Sequence, residues 1–131
     1  MERTVVNPWP WSVEFGYNQG EVVTGATRTL YLAGQTSVDA EGHPQHAGDM
    51  EAQITLALDN LEAVLELAGM SLANLVRLNI YTTDVDLLFE HMGVLAARGA
   101  AVGVTPPGTL LGVARLGFPE LLVELEGTAV E

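Results

Sequence analysis

The acidic residue near the C-terminus that is the candidate for chemistry is Glu124, two residues before Glu126. The segment from Leu121 to Val130 begins with apolar and polar residues in alternation, and this pattern predicts a β-strand. Side chains of a strand point to opposite faces by turns. By this parity one face carries Leu121, Val123 and Leu125, and the other carries Leu122, Glu124 and Glu126. On the face away from the core, Glu124 is a candidate for proton transfer, and a solvated strand glutamate is the alternative interpretation.

The rest of the chain predicts the elements that position this strand. Asn7 to Ser12 contains two prolines and is expected to be irregular. The predicted elements are a hairpin of Glu21 to Thr24 and Thr29 to Ala33, a helix from Asp49 to Gly69, a strand from Leu75 to Thr82, a helix capped by Asp84 or Asp86 that ends near Gly99, and strands from Thr109 to Arg115 and from Leu121 to Val130. This order indicates an α+β fold, with a single, mostly antiparallel sheet and two helices on one face.

Composition indicates one domain, residues 1–131, with a net charge of −12 and no cysteine. All five basic residues are arginines, so a lysine Schiff base is excluded. An acidic surface disfavours nucleic acid, and no apolar run is long enough to span a membrane, so we expect a cytoplasmic protein. Leu110 and Leu111 make one strand apolar on both faces, which predicts association with further copies of the chain.

The segment Gly108-Thr109-Leu110-Leu111-Gly112-Val113-Ala114-Arg115-Leu116, followed by Pro119 and Glu124, resembles the C-terminal signature of the Rid (YjgF-like) family of trimeric imine deaminases. Further similarity lies in Gly16 to Gly20, Leu32 to Gln35, Asp49 to Gly69 and Val76 to Asp84. The resemblance implies a chorismate-mutase-like homotrimer with a small-molecule pocket between subunits and with no cofactor or metal.

The resemblance also implies roles for particular residues. Glu124 matches the family's acid, which positions a water and moves protons during C=N hydrolysis, and Tyr17 matches a supporting residue or a packed aromatic. Gly108 stands where the family has an arginine that holds a substrate carboxylate. Arg115 lies seven residues further on, so strand parity points it to the opposite face. An arginine introduced at Gly108 is therefore expected to raise activity on 2-imino acids. The substitution Glu126→Gln is expected to change the activity little.

Other positions predicted to line the pocket are Ala33, Met92, Thr109 and His91. Ala33 and Met92 replace residues that are often polar in the family, so the pocket is expected to be apolar. His91 on a solvent-facing helix surface is the alternative interpretation. Trp9 and Trp11 are interpreted as side chains that hold the N-terminal arm in place by packing, rather than as pocket residues. His43 and His46 lie in a loop without metal-ligand spacing.

Three function classes remain open on this basis. The first is an imine or enamine hydrolase whose substrate lacks a carboxylate. The second is a non-catalytic trimer that binds a small molecule in the same cleft. The third is a conventional 2-iminobutanoate or 2-iminopropanoate deaminase, which the glycine at position 108 disfavours because the clamp for the substrate carboxylate is missing.

Overall fold

The computed structural model describes all 131 residues and has two sheets rather than the single sheet expected. Its strands are β1 (Glu2–Val6), β2 (Gly20–Thr24), β3 (Thr29–Tyr31), β4 (Leu75–Thr82), β5 (Leu110–Gly112) and β6 (Val123–Val130). Its helices are α1 (Trp11–Glu14), α2 (Met50–Leu67), α3 (Val85–Glu90) and α4 (Gly93–Val102), with a 3₁₀ turn at Leu72–Asn74. The α+β class is confirmed.

The predicted hairpin of residues 21–24 and 29–33 is wrong. Strand β2 pairs with β1 in a small separate sheet, and β3 pairs with the C-terminal strand β6. Arg3 of β1 fastens this small sheet to the rest of the protein by donating to the backbone oxygens of Ala73 and Leu75 (2.5 and 2.7 Å). The segment expected to be irregular also forms the single turn α1 at its end.

The main sheet has the strand order β3-β6-β4-β5, with antiparallel pairs except for the parallel pair β4–β5. Helix α2 packs on one face of this sheet, where its Ile54 and Leu61 are fully buried. As predicted, Asp49 caps its N-terminus by accepting from the amide of Ala52, and Gly69 follows its end with a φ of +75°. Strand β6 lies centrally, so its inward side chains form the middle of the core.

The second predicted helix is interrupted. Asp84 caps α3, as one of the two alternatives had it, but the helical path breaks at His91 and Met92 before α4 begins. Helix α4 continues past Gly99 and ends at Gly103, which has a left-handed φ of +70°. Strand β5 stops at Gly112, so Arg115 lies in the loop that follows rather than in a strand. None of the four helices combines the length and the apolar character needed to cross a bilayer.

Candidate active site

The face of the main sheet that points away from the helices, here called the open face, carries a polar cluster on β4 and β6. The predicted parity of β6 is confirmed, because Val123 and Leu125 are fully buried whereas Glu124 and Glu126 are partly exposed. Across the antiparallel β4–β6 pair, Tyr81 lies opposite Glu124, Asn79 opposite Glu126 and Arg77 opposite Thr128. The middle of the open face is therefore polar, and the apolar surface that was expected is restricted to its margins, at Tyr31 and Leu111.

Glu126 is the more firmly held of the two carboxylates. Asn79 Nδ2 and Tyr81 Oη both donate to its Oε1, at 3.0 and 2.9 Å. Asn79 is oriented in turn by the backbone amide of Thr109, which donates to its Oδ1 at 3.1 Å. The hydrogen bonds from Asn79 and Tyr81 lower the pKa of Glu126, and the same bond to Glu126 raises the pKa of Tyr81. Glu126 is thus a fixed anion.

Glu124 has a different environment, although it lies only two residues away. Its carboxylate packs against Gly34, so closely that a Cβ added to this glycine would lie 2.7 Å from Glu124 Cδ. Glu124 accepts no hydrogen bond within the chain, unlike its neighbour. Burial, and then the negative charge of Glu126, raise the pKa of Glu124. Two adjacent carboxyl groups whose pKa values are pushed apart are suited to separate acid and anion roles.

Gly108 lies where the chain leading into β5 approaches β4 most closely. Leu78 N donates to Pro107 O at 3.0 Å, and Ile80 N donates to Thr109 O at 2.8 Å. A Cβ at Gly108 would overlap the carbonyl oxygen of Leu78 and lie 2.6 Å from its carbonyl carbon. The glycine is therefore a packing requirement of the β4–β5 contact. An arginine at this position has no room without a backbone shift, so the expected gain of activity in Gly108→Arg stays a prediction and would require the β4–β5 contact to move.

Tyr17 belongs to an aromatic cluster in the N-terminal segment. The Tyr17 ring packs edge-on against Trp11 with centroids 6.1 Å apart, and Phe15 packs on Trp11 at 6.4 Å. Trp9 and Trp11 are about half exposed, at 57% and 49%. Tyr17 makes no hydrogen bond to Glu124 within the chain, so a supporting role for Tyr17 requires a neighbouring subunit to bring it to the site.

The remaining predicted pocket residues divide between the two sides of the sheet. Ala33 adjoins Gly34 and so lies beside Glu124, and Thr109 reaches the polar cluster through Asn79. Met92 packs with the buried core on the helix side, and His91 Nδ1 lies 3.9 Å from Glu51 Oε2 in the helix layer. Within one chain, these two residues are not brought together with Glu124.

Sequence reasoning missed Arg77, Asn79 and Tyr81. They occupy alternate positions of β4 and are separated from one another by the partly buried Leu78 and Ile80. The same parity argument that placed the glutamates on the open face could have found them. Gly34 was named only as part of a resemblance. Its role in admitting the Glu124 carboxylate depends on a contact between β6 and the segment after β3, which no local pattern reveals.

Comparison with known proteins places this geometry in a family. The family model described as endoribonuclease L-PSP matches residues 12–131. A RutC family protein of Aquifex aeolicus is 30% identical over 115 residues, which cover 88% of each chain.

Two solved structures extend the comparison. A Rid family protein of unknown function from Yersinia pestis, YyfB, is 33% identical, covers the whole of both chains and superposes with a TM-score of 0.88. Escherichia coli TdcF, solved with bound serine, is 26% identical with a TM-score of 0.71, over 88% of this chain and 87% of its own. The chain therefore belongs to the Rid family, the family of YjgF and RutC.

Proposed function

We propose that the protein hydrolyses an imine or enamine that carries no carboxylate beside the C=N bond, in a cleft that the open face forms with neighbouring subunits of a trimer. The observation that carries this proposal is the environment of Glu124. Its carboxyl group is half-buried against Gly34, free of hydrogen bonds and adjacent to the anion Glu126, so its pKa is raised. A raised pKa makes a carboxyl group better suited to act as a general acid.

In the proposed reaction, Glu124 donates its proton to the imine nitrogen, and a water molecule adds to the carbon. The Glu124 carboxylate takes one proton from this water and passes it to the nitrogen of the resulting carbinolamine. The C–N bond then breaks, the nitrogen leaves as an amine or ammonia, and the remaining hydroxyl proton returns to Glu124 as the carbonyl forms. The lowered pKa of Glu126 keeps that residue ionised, and burial together with the negative charge of Glu126 raises the pKa of Glu124.

The absence of a carboxylate clamp supports this substrate class. Gly108 packs closely against Leu78 and offers no side chain, and Arg115 lies exposed in the loop after β5. Arg77 lies on the open face, but four residues along β4 from Tyr81, the residue opposite Glu124. That is about 13 Å of extended strand. A compact 2-imino acid, whose carboxylate is bonded to the imine carbon, is too short to reach both groups.

The trimer is part of the proposal. The open face has no covering layer within the chain, and Tyr31 and Leu111 are 80% and 49% exposed on it. Neighbouring copies would bury these side chains, and a closed cyclic assembly suits contacts between unlike surfaces of one chain. They would also supply the second wall of a cleft beside Glu124, which is open to solvent in the single chain.

A non-catalytic trimer that binds a small molecule is the second candidate. It is favoured by the hydrogen bonds that Asn79 and Tyr81 donate to Glu126, whereas the proposed acid accepts none. TdcF, a structural relative, was solved with serine bound. A conventional 2-imino acid deaminase ranks third because of Gly108.

The test is an ammonia-release assay with imines generated in situ, one set without carboxylates and one containing 2-iminopropanoate. We expect turnover only in the first set, and we expect Glu124→Gln to abolish it while leaving the assembly intact. Saturable binding without turnover supports the binding protein instead. Turnover of 2-iminopropanoate at the rate of an arginine-containing family member would refute the proposed substrate class.

A further inference from the structure

The segment that carries Gly34 follows an irregular path beside β6. Tyr31, the last residue of β3, pairs with Thr128 of β6. Gln35 pairs with Leu125, so four steps along this segment match three along β6. The extra residue forms a β-bulge, and Gly34 within it makes no backbone hydrogen bond. The position of Gly34 therefore depends on the contacts that hold the chain on either side of it.

The chain beyond the bulge is held by β6 and by helix α2. Gln35 exchanges two backbone hydrogen bonds with Leu125, at 2.7 and 2.9 Å. Just after this pair, the carbonyl oxygens of Thr36 and Val38 both accept from Asn60 Nδ2, at 2.9 and 3.0 Å. Both hydrogens of the Asn60 amide are thus used on one short segment. Asn60 ties the end of the bulge segment to the helix.

Asn60 is an unexpected residue for its place in the interior of α2. Asparagine is a poorer helix former than alanine or leucine, because its side chain competes with the helix for backbone hydrogen bonds. Asn60 is half-buried beside the fully buried Leu61, and it makes no hydrogen bond to the backbone of its own helix. The contact with residues 36–38, rather than helix formation, therefore explains an asparagine at this position.

We propose that Asn60 is a positioning residue of the candidate site, because it holds residues 36–38 on α2 and so keeps Gly34 packed against the Glu124 carboxylate. This role rests on the proposed function, in which Glu124 is the acid, but the contact can be measured without a substrate. Without the two hydrogen bonds the bulge segment can move away from β6 and admit water to Glu124. Burial is the larger cause of the raised pKa of Glu124, so this pKa should then fall toward its ordinary value.

The test is a carboxyl ¹³C NMR titration of the assembled protein, labelled with ¹³C-glutamate, in the wild type and in Asn60→Ala. Alanine removes both donors, adds no charge and favours the helix. We expect the pKa of Glu124 to lose most of its elevation in the variant. Glu126 is the internal reference in the same spectra, because Asn79 and Tyr81 of β4 hold its carboxylate and its lowered pKa should not change.

Two further variants separate positioning from a general loss of stability. Asn74→Ala is the matched control, since Asn74 Nδ2 donates to Val130 O at 3.0 Å, at the other end of β6. It should lower the Tm and leave the pKa of Glu124 raised. In a Gly34→Ala background the packing of Gly34 on Glu124 is already disrupted. Adding Asn60→Ala should therefore shift the pKa of Glu124 no further, as expected for two substitutions that act through one contact.

Turnover provides a separate readout once a substrate is found. Activity that needs a protonated Glu124 is lost as pH rises through the pKa of this residue, so the alkaline limb of the kcat/KM profile should move to lower pH in Asn60→Ala. A fall in the pKa of Glu124 without any change in turnover would refute Glu124 as the acid and leave the positioning role intact. The two proposals can therefore fail independently.

Two results would overturn the positioning role. One is an unchanged pKa of Glu124 in folded Asn60→Ala, and the other is an equal fall of this pKa in Asn60→Ala and Asn74→Ala. If the alanine variant does not fold, Asn60→Ser takes its place in the same comparison. The serine hydroxyl is too short to reach the carbonyl oxygens of Thr36 and Val38, so the same fall in the pKa of Glu124 is expected.

Discussion

Replacing Gly108 with alanine tests whether this position, where the resemblance to the Rid family predicts an arginine, is required to be small by packing. The added Cβ would lie 2.6 Å from the carbonyl carbon of Leu78, whereas carbon atoms normally approach to about 3.5–4.0 Å. The backbone must therefore move by about 1 Å, at a point flanked by the Leu78–Pro107 and Ile80–Thr109 hydrogen bonds. Losing both bonds costs about 2 kcal/mol, and the overpacking adds about 1–2 kcal/mol.

Alanine also lowers the conformational entropy of the unfolded chain, which offsets roughly 0.4–1 kcal/mol of this loss of stability. The expected net loss is about 2–3 kcal/mol, or a fall in Tm of roughly 6–12 °C for a domain of this size. Thermal unfolding at one fixed protein concentration measures it, because an oligomer's Tm depends on concentration. Gly117→Ala is the matched control, since a Cβ there meets nothing within 4 Å and the glycine has no left-handed φ. Equal Tm values for Gly108→Ala and Gly117→Ala would refute the close approach and make Gly108→Arg a practical route to a carboxylate clamp.

Three further predictions concern the carboxylates and the assembly. Gly34→Ala should displace the Glu124 carboxylate into water, because the added Cβ meets only the flexible end of this side chain. The Tm should therefore change little. A ¹³C NMR titration should show the pKa of Glu124 falling toward its ordinary value. Urea unfolding between about pH 3.5 and 7 should separate the two acids. The lowered pKa of Glu126 stabilises the fold above the ordinary glutamate pKa, and this stability is lost as pH falls, so the advantage of wild type over Glu126→Gln grows with pH. The raised pKa of Glu124 has the opposite sign, so wild type loses stability relative to Glu124→Gln as pH rises; parallel profiles for the two variants would contradict the assignment. Light scattering should return the mass of a trimer at micromolar concentration, and a monomer mass would remove the proposed cleft.

The features that the sequence predicted correctly are those with local causes. Asp49 and Gly69 mark the ends of α2 because a capping oxygen and a left-handed residue act within one helical turn. The parity of β6 follows from the chain's own alternation. The hairpin between residues 21–24 and 29–33 was wrong because β-propensity identifies strands without identifying partners. Strand β3 pairs instead with a strand about a hundred residues later in the chain, an arrangement decided by tertiary packing.

The candidate site shows the same division. Parity indicated which face carries Glu124 and Glu126, but it could not rank them. The ranking comes from neighbours on other elements, Asn79 and Tyr81 beside one carboxylate and Gly34 beside the other. Gly108 was correctly noted as a missing side chain, yet its contact with β4 was invisible in the sequence because it is made between two segments thirty residues apart.

Strand β6 explains how a site can be fixed in position before any ligand arrives. Its inward residues Val123 and Leu125 are fully buried between the sheet and α2, and its backbone pairs on both sides, with β3 and with β4. Because the outward residues alternate with these core residues, a shift of either carboxylate along the strand would require a shift of the core. The same packing energy that folds the domain therefore positions Glu124 and Glu126. Their different pKa values need no strained backbone, since they follow from which neighbours the sheet register places beside each one.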